Sequence, residues 1–303
     1  MSASGGNKAI IAAFCANLAI AIAKFVGFLI TGASSMLSEA IHSVADTGNQ
    51  ALLLLGRKQA DKDADEEHQF GYGRERFFWA FVVAVVLFAL GSVFAIYEGI
   101  HKIQHPEELT SPAVAIGILT FALLAEGYSL RTAVHESNLL RGEDSWWGFI
   151  RHSRVPELPV VLLEDFGAMT GLVIAFIAVL TSMATGNGVY DGIGSVAIGL
   201  ILGVIAVVLC IEMKSLLIGE PALPEDRTRM RRAIESSPGV VRLIHDRTEY
   251  IGAEQVLLAA KVEFDQSLTV AGLADAINTL EANVRTAVPA IQLVYIEPDL
   301  YRG

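Results

Sequence analysis

Apolar residues run in long unbroken stretches rather than in the short alternations of a soluble domain. Six stretches, at about 8–31, 34–56, 76–100, 112–134, 158–184 and 188–216, approach or exceed the roughly 20 residues a helix needs to span a bilayer. Thr31-Gly32-Ala33 joins the first two as a tight hairpin. GRKQADKDADEEHQFGYGRER forms a long charged connection, and HKIQHPEELTSP ends at Pro112, a residue suited to the first turn of a helix. HESNLLRGEDSWWGFIRHSRVPE carries basic residues, and TGNG is short and uncharged. After Gly219 the pattern changes. Pro221 and Pro224 mark a linker, and DRTRMRRAIESS has the spacing of an amphipathic helix. VVRLIHDRTEYIG and EQVLLAAKVEFDQ alternate like paired strands around Gly252. LTVAGLADAINTLEANVRTAV reads as a helix and IQLVYIEP as a last strand. The expected architecture is a six-helix transmembrane domain over 1–218 and a cytoplasmic α-β-β-α-β domain over 219–303. The second domain is small enough to gain from pairing with a copy of itself.

Composition agrees with a membrane protein: 53% of the 303 residues are apolar and only 18% are charged, less than a soluble domain carries. The net charge of −11 argues against nucleic acid as a partner. Cys15 and Cys210 both fall in expected spans and read as packing residues rather than a disulfide or zinc site. The first apolar run is too long for a signal-peptide core and reads as a retained span. Lys8, the Arg57/Lys58/Lys62/Arg74/Arg76 group, the Arg131/Arg141/Arg151/Arg154 group and Lys214 lie on one side of the six spans, with Lys102 opposite. The positive-inside rule then places both termini in the cytoplasm of a multi-pass inner or plasma membrane protein.

Ionisable groups inside these spans change the question from fold to cargo. Glu39, His42, Asp46 and Asn49 recur at spacings of three, four and three, which puts them on one helix stripe. Glu164-Asp165 interrupts the fifth span. Charged groups at bilayer depth face a partner, a cavity or an ion path. Imidazole and carboxylate both bind divalent cations. One histidine among carboxylates leans to Zn²⁺, with Mn²⁺ and Fe²⁺ as alternatives. An imidazole with an unperturbed pKa near 6.5 also lets protons compete with metal close to neutral pH, a basis for cation/proton exchange. Lys24, seven residues beyond Asn17, and Glu126 read as buried charges offset elsewhere in the bundle, with Glu126 on a proton path as the alternative, and Asp191 as an acid at the start of its own helix.

Three segments together resemble a known family. ANLAIAIAKFVGFLITGASSMLSEAIHSVADTGNQ is similar to the first two helices of the cation diffusion facilitators, HQFGYGRER at 68–76 to their loop signature, and YDGIGSVAIGLIL at 190–202 to their sixth helix. With the C-terminal domain, the resemblance covers nearly the whole chain. It implies a homodimeric divalent-metal exporter, usually for zinc, driven by proton antiport, with a ferredoxin-like cytoplasmic domain. It implies two metal ligands from the second helix, matched by His42 and Asp46, and two from the fifth. Asp165 matches the later one of the fifth-helix pair, but Val161 stands where the earlier one belongs. Glu164 lies one residue from Asp165, about 100° away on an ideal helix. The expected ligand set is therefore His42, Asp46 and Asp165, with Glu164, Glu39 or a water in the place that Val161 leaves.

Auxiliary metal sites look degraded against the family pattern. Asp65 and His68 match a loop site, but Tyr72 replaces a histidine, and the Asp61–Glu67 run reads as a solvated loop. His245 is the C-terminal domain's one histidine, with Glu297 and Asp299 as possible companions. His101, His105, His135 and His152 read as surface residues, and Trp146-Trp147 with Phe149 as an interfacial anchor. The expected partners are a divalent cation (Zn²⁺ as transported substrate), protons, the lipid bilayer and a second copy of the chain, with no organic cofactor. No enzymatic activity is expected, since a membrane hydrolase would need a His-Glu-x-x-His run or a nucleophile motif, and neither is present. A non-transporting membrane metal sensor is the remaining alternative.

Overall fold

The structure is a computed structural model describing residues 18–106, 112–143 and 145–302. Lys8, Cys15, Asn17 and the start of the first expected span lie outside the described residues, as does the side chain of His152. The chain divides into two compact units. One holds the helices up to Met213, and the other holds Arg57–Phe77 together with Lys214–Gly303.

The helices of the first unit are α1 (Leu18–Thr31), α2 (Ser34–Ala60), α3 (Glu75–Gln104), α4 (Pro112–Arg141), α5 (Trp146–His152), α6 (Glu157–Thr185) and α7 (Val189–Ile218). Within the described residues, four stretches are long and apolar enough to cross a membrane: Glu75–Gln104, Ala113–His135, Glu157–Thr185 and Val189–Ile218. At 27 residues α2 also has the length, about 40 Å at 1.5 Å per residue, but it gives one face to polar groups. The distribution of residues is the reverse of a soluble protein's. Leu29, Phe121, Leu124, Ile177 and Val204 are exposed, while Lys24, Glu39, His42, Asn49 and Glu164 are buried. Only a lipid solvent makes that arrangement favourable, and the chain is a helical membrane protein.

Small residues set the helix spacings. A Cβ on Gly99 would stand 2.6 Å from the Gly192 carbonyl oxygen, and one on Gly199 2.8 Å from the Ser92 carbonyl, so α3 and α7 approach backbone to backbone. The α1–α2 hairpin turns at Gly32, whose φ of +65° is left-handed and favours glycine. Lys102 Nζ donates to the Gly32 carbonyl at 3.2 Å. Asp191, although it stands in the first turn of α7, serves another helix. It accepts from the Ser34 amide at 2.6 Å, the Ser35 amide at 3.3 Å and the Ser35 hydroxyl. These amides open α2 and have no partner within their own helix, so Asp191 caps α2 from across the bundle.

The loop expected around Trp146 contains the short helix α5. Ser145 caps it by accepting from the Gly148 amide at 3.0 Å, and Phe149 and Ile150 are buried. Trp147 is exposed, and the Arg141 guanidinium stacks over Trp146 at 4.6 Å. His101, His105 and His135 are exposed.

In the second unit the order α8 (Pro224–Glu235), β1 (Val240–Gly252), β2 (Gln255–Phe264), α9 (Val270–Ala287), β3 (Ile291–Pro298) follows the expected α-β-β-α-β pattern. The sheet order is β1-β2-β3, with β1 antiparallel to β2 and β2 parallel to β3. Alternation along β2 buries Val256, Leu258, Ala260, Val262 and Phe264 against Met230 and Ile234 of α8 and Leu280 and Val284 of α9. The charged loop packs here too: Arg74 pairs with Glu249, and Gly73 lies against Ile251 and Gly252.

Candidate metal centre

The polar stripe of α2 resolves into three separate arrangements. At its start, Glu39 meets Lys24 of α1, with Nζ 3.3 Å from Oε2, and Lys24 also lies 3.8 Å from Glu126 of α4. The expectation that Lys24 and Glu126 offset buried charge within the bundle is met by this contact. Glu39, a further candidate for the metal, is turned to that ammonium instead.

One turn on, His42 Nδ1 lies 3.5 Å from Asp46 Oδ1. The imidazole is fully buried, and neither ring nitrogen has a hydrogen-bond partner among the described residues; the same holds for Asp46 Oδ1. Buried polar atoms are almost always satisfied, and an unmade bond to such a group costs about 1–3 kcal/mol. Leaving an imidazole and a carboxylate oxygen open side by side is what a site for a cationic guest requires.

Asn49 completes the stripe by donating from Nδ2 to Glu164 Oε1 on α6 at 2.6 Å. The acid pair on α6 therefore diverges. Glu164 is buried against α2, whereas Asp165 turns to α4, where the Ser129 hydroxyl donates to its Oδ2 at 2.9 Å. His42 and Asp46 come together as the spacing predicts, but no group of three or more His, Cys, Asp or Glu able to hold a metal ion forms among the described residues.

Two contributors escaped the sequence reading. Between Leu87 and Val93, α3 widens into a π-helical turn, a feature that recurs at functional sites. Gly91 within it faces the histidine: a Cβ there would sit 3.8 Å from His42 Nδ1. The Gly91-Ser92 pair in an apolar span was the available signal. Ser129 carried none, being one hydroxyl in a long helix.

The two auxiliary candidates are occupied by other interactions. Asp65 accepts from the amides of Glu67 and His68 at 3.0 and 2.7 Å and from the Tyr72 hydroxyl at 2.6 Å. The Tyr72 bond, joined by the His68 amide, holds the Asp65 carboxyl below its ordinary value, and it pushes the Tyr72 phenol up to about 12. In the C-terminal unit, Lys261 Nζ sits 3.0 Å from both Glu297 and Asp299. These bonds raise the Lys261 pKa, Glu297 contributing most, and the Lys261 bond lowers that of Asp299. His245 lies opposite Lys261 on the neighbouring strand, so the ammonium stands where a cation shared with Glu297 would have to sit.

Residues 10–218 match the family model of the cation efflux transmembrane domain. The chain belongs to the cation diffusion facilitator, or cation efflux, family. Among family relatives, the mouse (Mus musculus) protein named proton-coupled zinc antiporter SLC30A9, mitochondrial, is 35% identical over 265 residues, covering 86% of this chain and 46% of its own length. Metal tolerance protein C4 of Arabidopsis thaliana is 30% identical over 269 residues, covering 87% of this chain and 58% of its own. The chain thus spans about half the length of the curated relatives it matches. A nickel form of a MamM C-terminal domain variant aligns with 26% of the chain and 100% of itself, at 21% identity and a TM-score of 0.25.

Proposed function

We propose that this cation diffusion facilitator carries divalent metal, Zn²⁺ first, out of the cytoplasm in exchange for protons. The observation that carries the reading is the buried His42–Asp46 pair, with the imidazole Nδ1 3.5 Å from the carboxylate and neither ring nitrogen hydrogen-bonded among the described residues. Imidazole with carboxylate suits zinc, and both donors must shed protons to bind it, which links metal to protons directly. The printed name of the mouse relative, a proton-coupled zinc antiporter, supports the same cargo and coupling. His42 and Asp46 are the fixed ligands. Asp165 leaves Ser129, or Glu164 leaves Asn49, to close the site as the helices rock between inward- and outward-facing arrangements. The six apolar runs of the sequence span the membrane, both termini are cytoplasmic, and the C-terminal unit pairs two copies of the chain.

The test uses the full chain in liposomes with a metal-sensitive dye inside. Zn²⁺, Mn²⁺ and Fe²⁺ uptake is compared with and without a pH gradient, beside His42→Ala. Zinc flux that follows the gradient and is lost in the variant is the expected result. Manganese or iron carried in preference to zinc would reassign the cargo, and metal binding without flux of any ion would replace transport with sensing.

A further inference from the structure

Asn49 ends the α2 stripe with half of its amide unused. It is fully buried, and its Nδ2 donates to Glu164 Oε1 of α6 at 2.6 Å. Its Oδ1 is enclosed as well and has no hydrogen-bond partner among the described residues. An ionised carboxylate only accepts, so Glu164 fixes which end of the amide faces it and turns the oxygen away. A buried amide oxygen held in place and left unbonded is costly, and native structures keep few of them. Asp46 Oδ1 and both ring nitrogens of His42 are enclosed and unbonded in the same sense.

Helix spacing divides this row. Asp46 and His42 are four residues apart, and their Oδ1 and Nδ1 lie 3.5 Å from each other. Asp46 and Asn49 are three apart, and side chains at that spacing are also neighbours, with Cβ atoms about 5–6 Å apart. His42 and Asn49 stand at opposite ends of the row, about 10 Å along the axis at 1.5 Å per residue. Metal bonds to nitrogen and oxygen are about 2.0–2.2 Å long, so one ion reaches Asp46 with either neighbour but not with both. The other charged groups nearby are engaged elsewhere: Glu39 with Lys24, and Asp165 with the Ser129 hydroxyl.

We propose that Asn49 is a metal-binding residue: its Oδ1 and the Asp46 carboxylate hold the cation at a second position, one turn nearer the Arg57–Lys58 end of α2 than the His42–Asp46 position, with Glu164 orienting the amide. Asp46 is common to both positions, so an ion moves between them without leaving its carboxylate. The donors of the second position are all oxygen, a set that suits Mn²⁺, whereas the imidazole of the first suits Zn²⁺. The order in which a transported ion meets them rests on the transport reading, which makes the Arg57–Lys58 end cytoplasmic and the oxygen position the earlier one; binding at Asn49 does not rest on it.

The experiment is calorimetric titration of the full chain in detergent micelles with Mn²⁺ and with Zn²⁺, beside Asn49→Ala and Asn49→Asp. Both variants remove the donor to Glu164, but only Asn49→Ala removes the oxygen. Asn49→Ala is expected to weaken Mn²⁺ binding at least about tenfold, the lower end of what a lost contact around a metal costs, and Asn49→Asp to keep or tighten it. Zn²⁺, which has His42, is expected to lose less than Mn²⁺ in Asn49→Ala. Equal weakening of Mn²⁺ by both variants would reduce Asn49 to a holder of Glu164 and overturn the proposal, and Mn²⁺ binding unchanged in both would overturn it too. Where Asn49→Ala does not fold, weakened Mn²⁺ binding in folded Asn49→Asp overturns it alone. The expected changes in binding, with no flux of either metal into liposomes, would refute transport and leave the Asn49 position standing.

Discussion

Removing the Asp191 side chain should loosen the helix that carries His42 and Asp46. Asp191→Ala strips α2 of acceptors for the Ser34 and Ser35 amides, at 2.6 and 3.3 Å, and for the Ser35 hydroxyl. All three residues are buried, with Asp191 and Ser35 fully so, and water does not replace the lost partner. A hydrogen bond to a charged group contributes about 1.5–3 kcal/mol, so the two amides together amount to about 3–6 kcal/mol. That is at the upper end of what single substitutions do, and it has a named mechanism. Equilibrium unfolding in mixed micelles measures it, with Asp191→Asn, which keeps one acceptor, expected to fall between the two. Metal affinity should weaken in parallel, because Ser35 lies two turns before His42 on the same helix. A loss under about 1 kcal/mol for Asp191→Ala would show that α2 finds other partners for its first amides and would refute the reasoning.

Asn49→Ala leaves the buried Glu164 carboxylate without its donor and should destabilise the protein by about 1–3 kcal/mol in the same unfolding assay. Met230→Ala empties a fully buried position beneath the sheet and should cost about 2–5 kcal/mol, read from the unfolding of the C-terminal unit. Asp65 is held below the ordinary carboxylate value, so its contribution to loop order is complete above the unfolded value near pH 4 and is lost as pH falls through the lowered one. Hydrogen exchange at the His68 amide should therefore gain protection as pH rises through that window, after correction for intrinsic exchange. Tyr72→Phe should move the window upward by removing the largest cause of the shift.

The four longest apolar helices and the α-β-β-α-β order of elements were legible because each rests on local periodicity: long apolar runs, an alternation of two in β2, a turn at Gly252. The stripe of α2 was legible for the same reason, since spacings of three and four define a face. Periodicity ranks positions on a face but does not say what lies opposite each of them. Glu39 and His42 are equivalent by spacing, yet one meets an ammonium and the other the Asp46 carboxylate. Glu164 and Asp165 differ by one residue, and the rotation that gives Glu164 to Asn49 and Asp165 to Ser129 comes from how α6 packs between α2 and α4. Asp191 shows the limit most plainly: its acceptors serve amides 156 and 157 residues away, and nothing near it in the chain marks them.

The wide turn of α3 also fixes a phase. Leu87, Gly91, Ala95 and Gly99 follow one another at intervals of four, and the first three are buried with Gly99 pressed onto Gly192. On a regular α-helix, steps of four overshoot a full rotation by about 40° each, so such a row would wind off the face it starts on. A π-helical turn takes up more residues per rotation and winds the row back. The segment works as a gear offset, letting one side of α3 address His42 through Gly91 while the next turns still mesh with α7. Winding the same residues as a regular helix would swing everything beyond Val93 by about 100° and set Gly99 and its neighbours off the backbone they meet, whereas deleting one residue between Leu87 and Val93 would keep their phase.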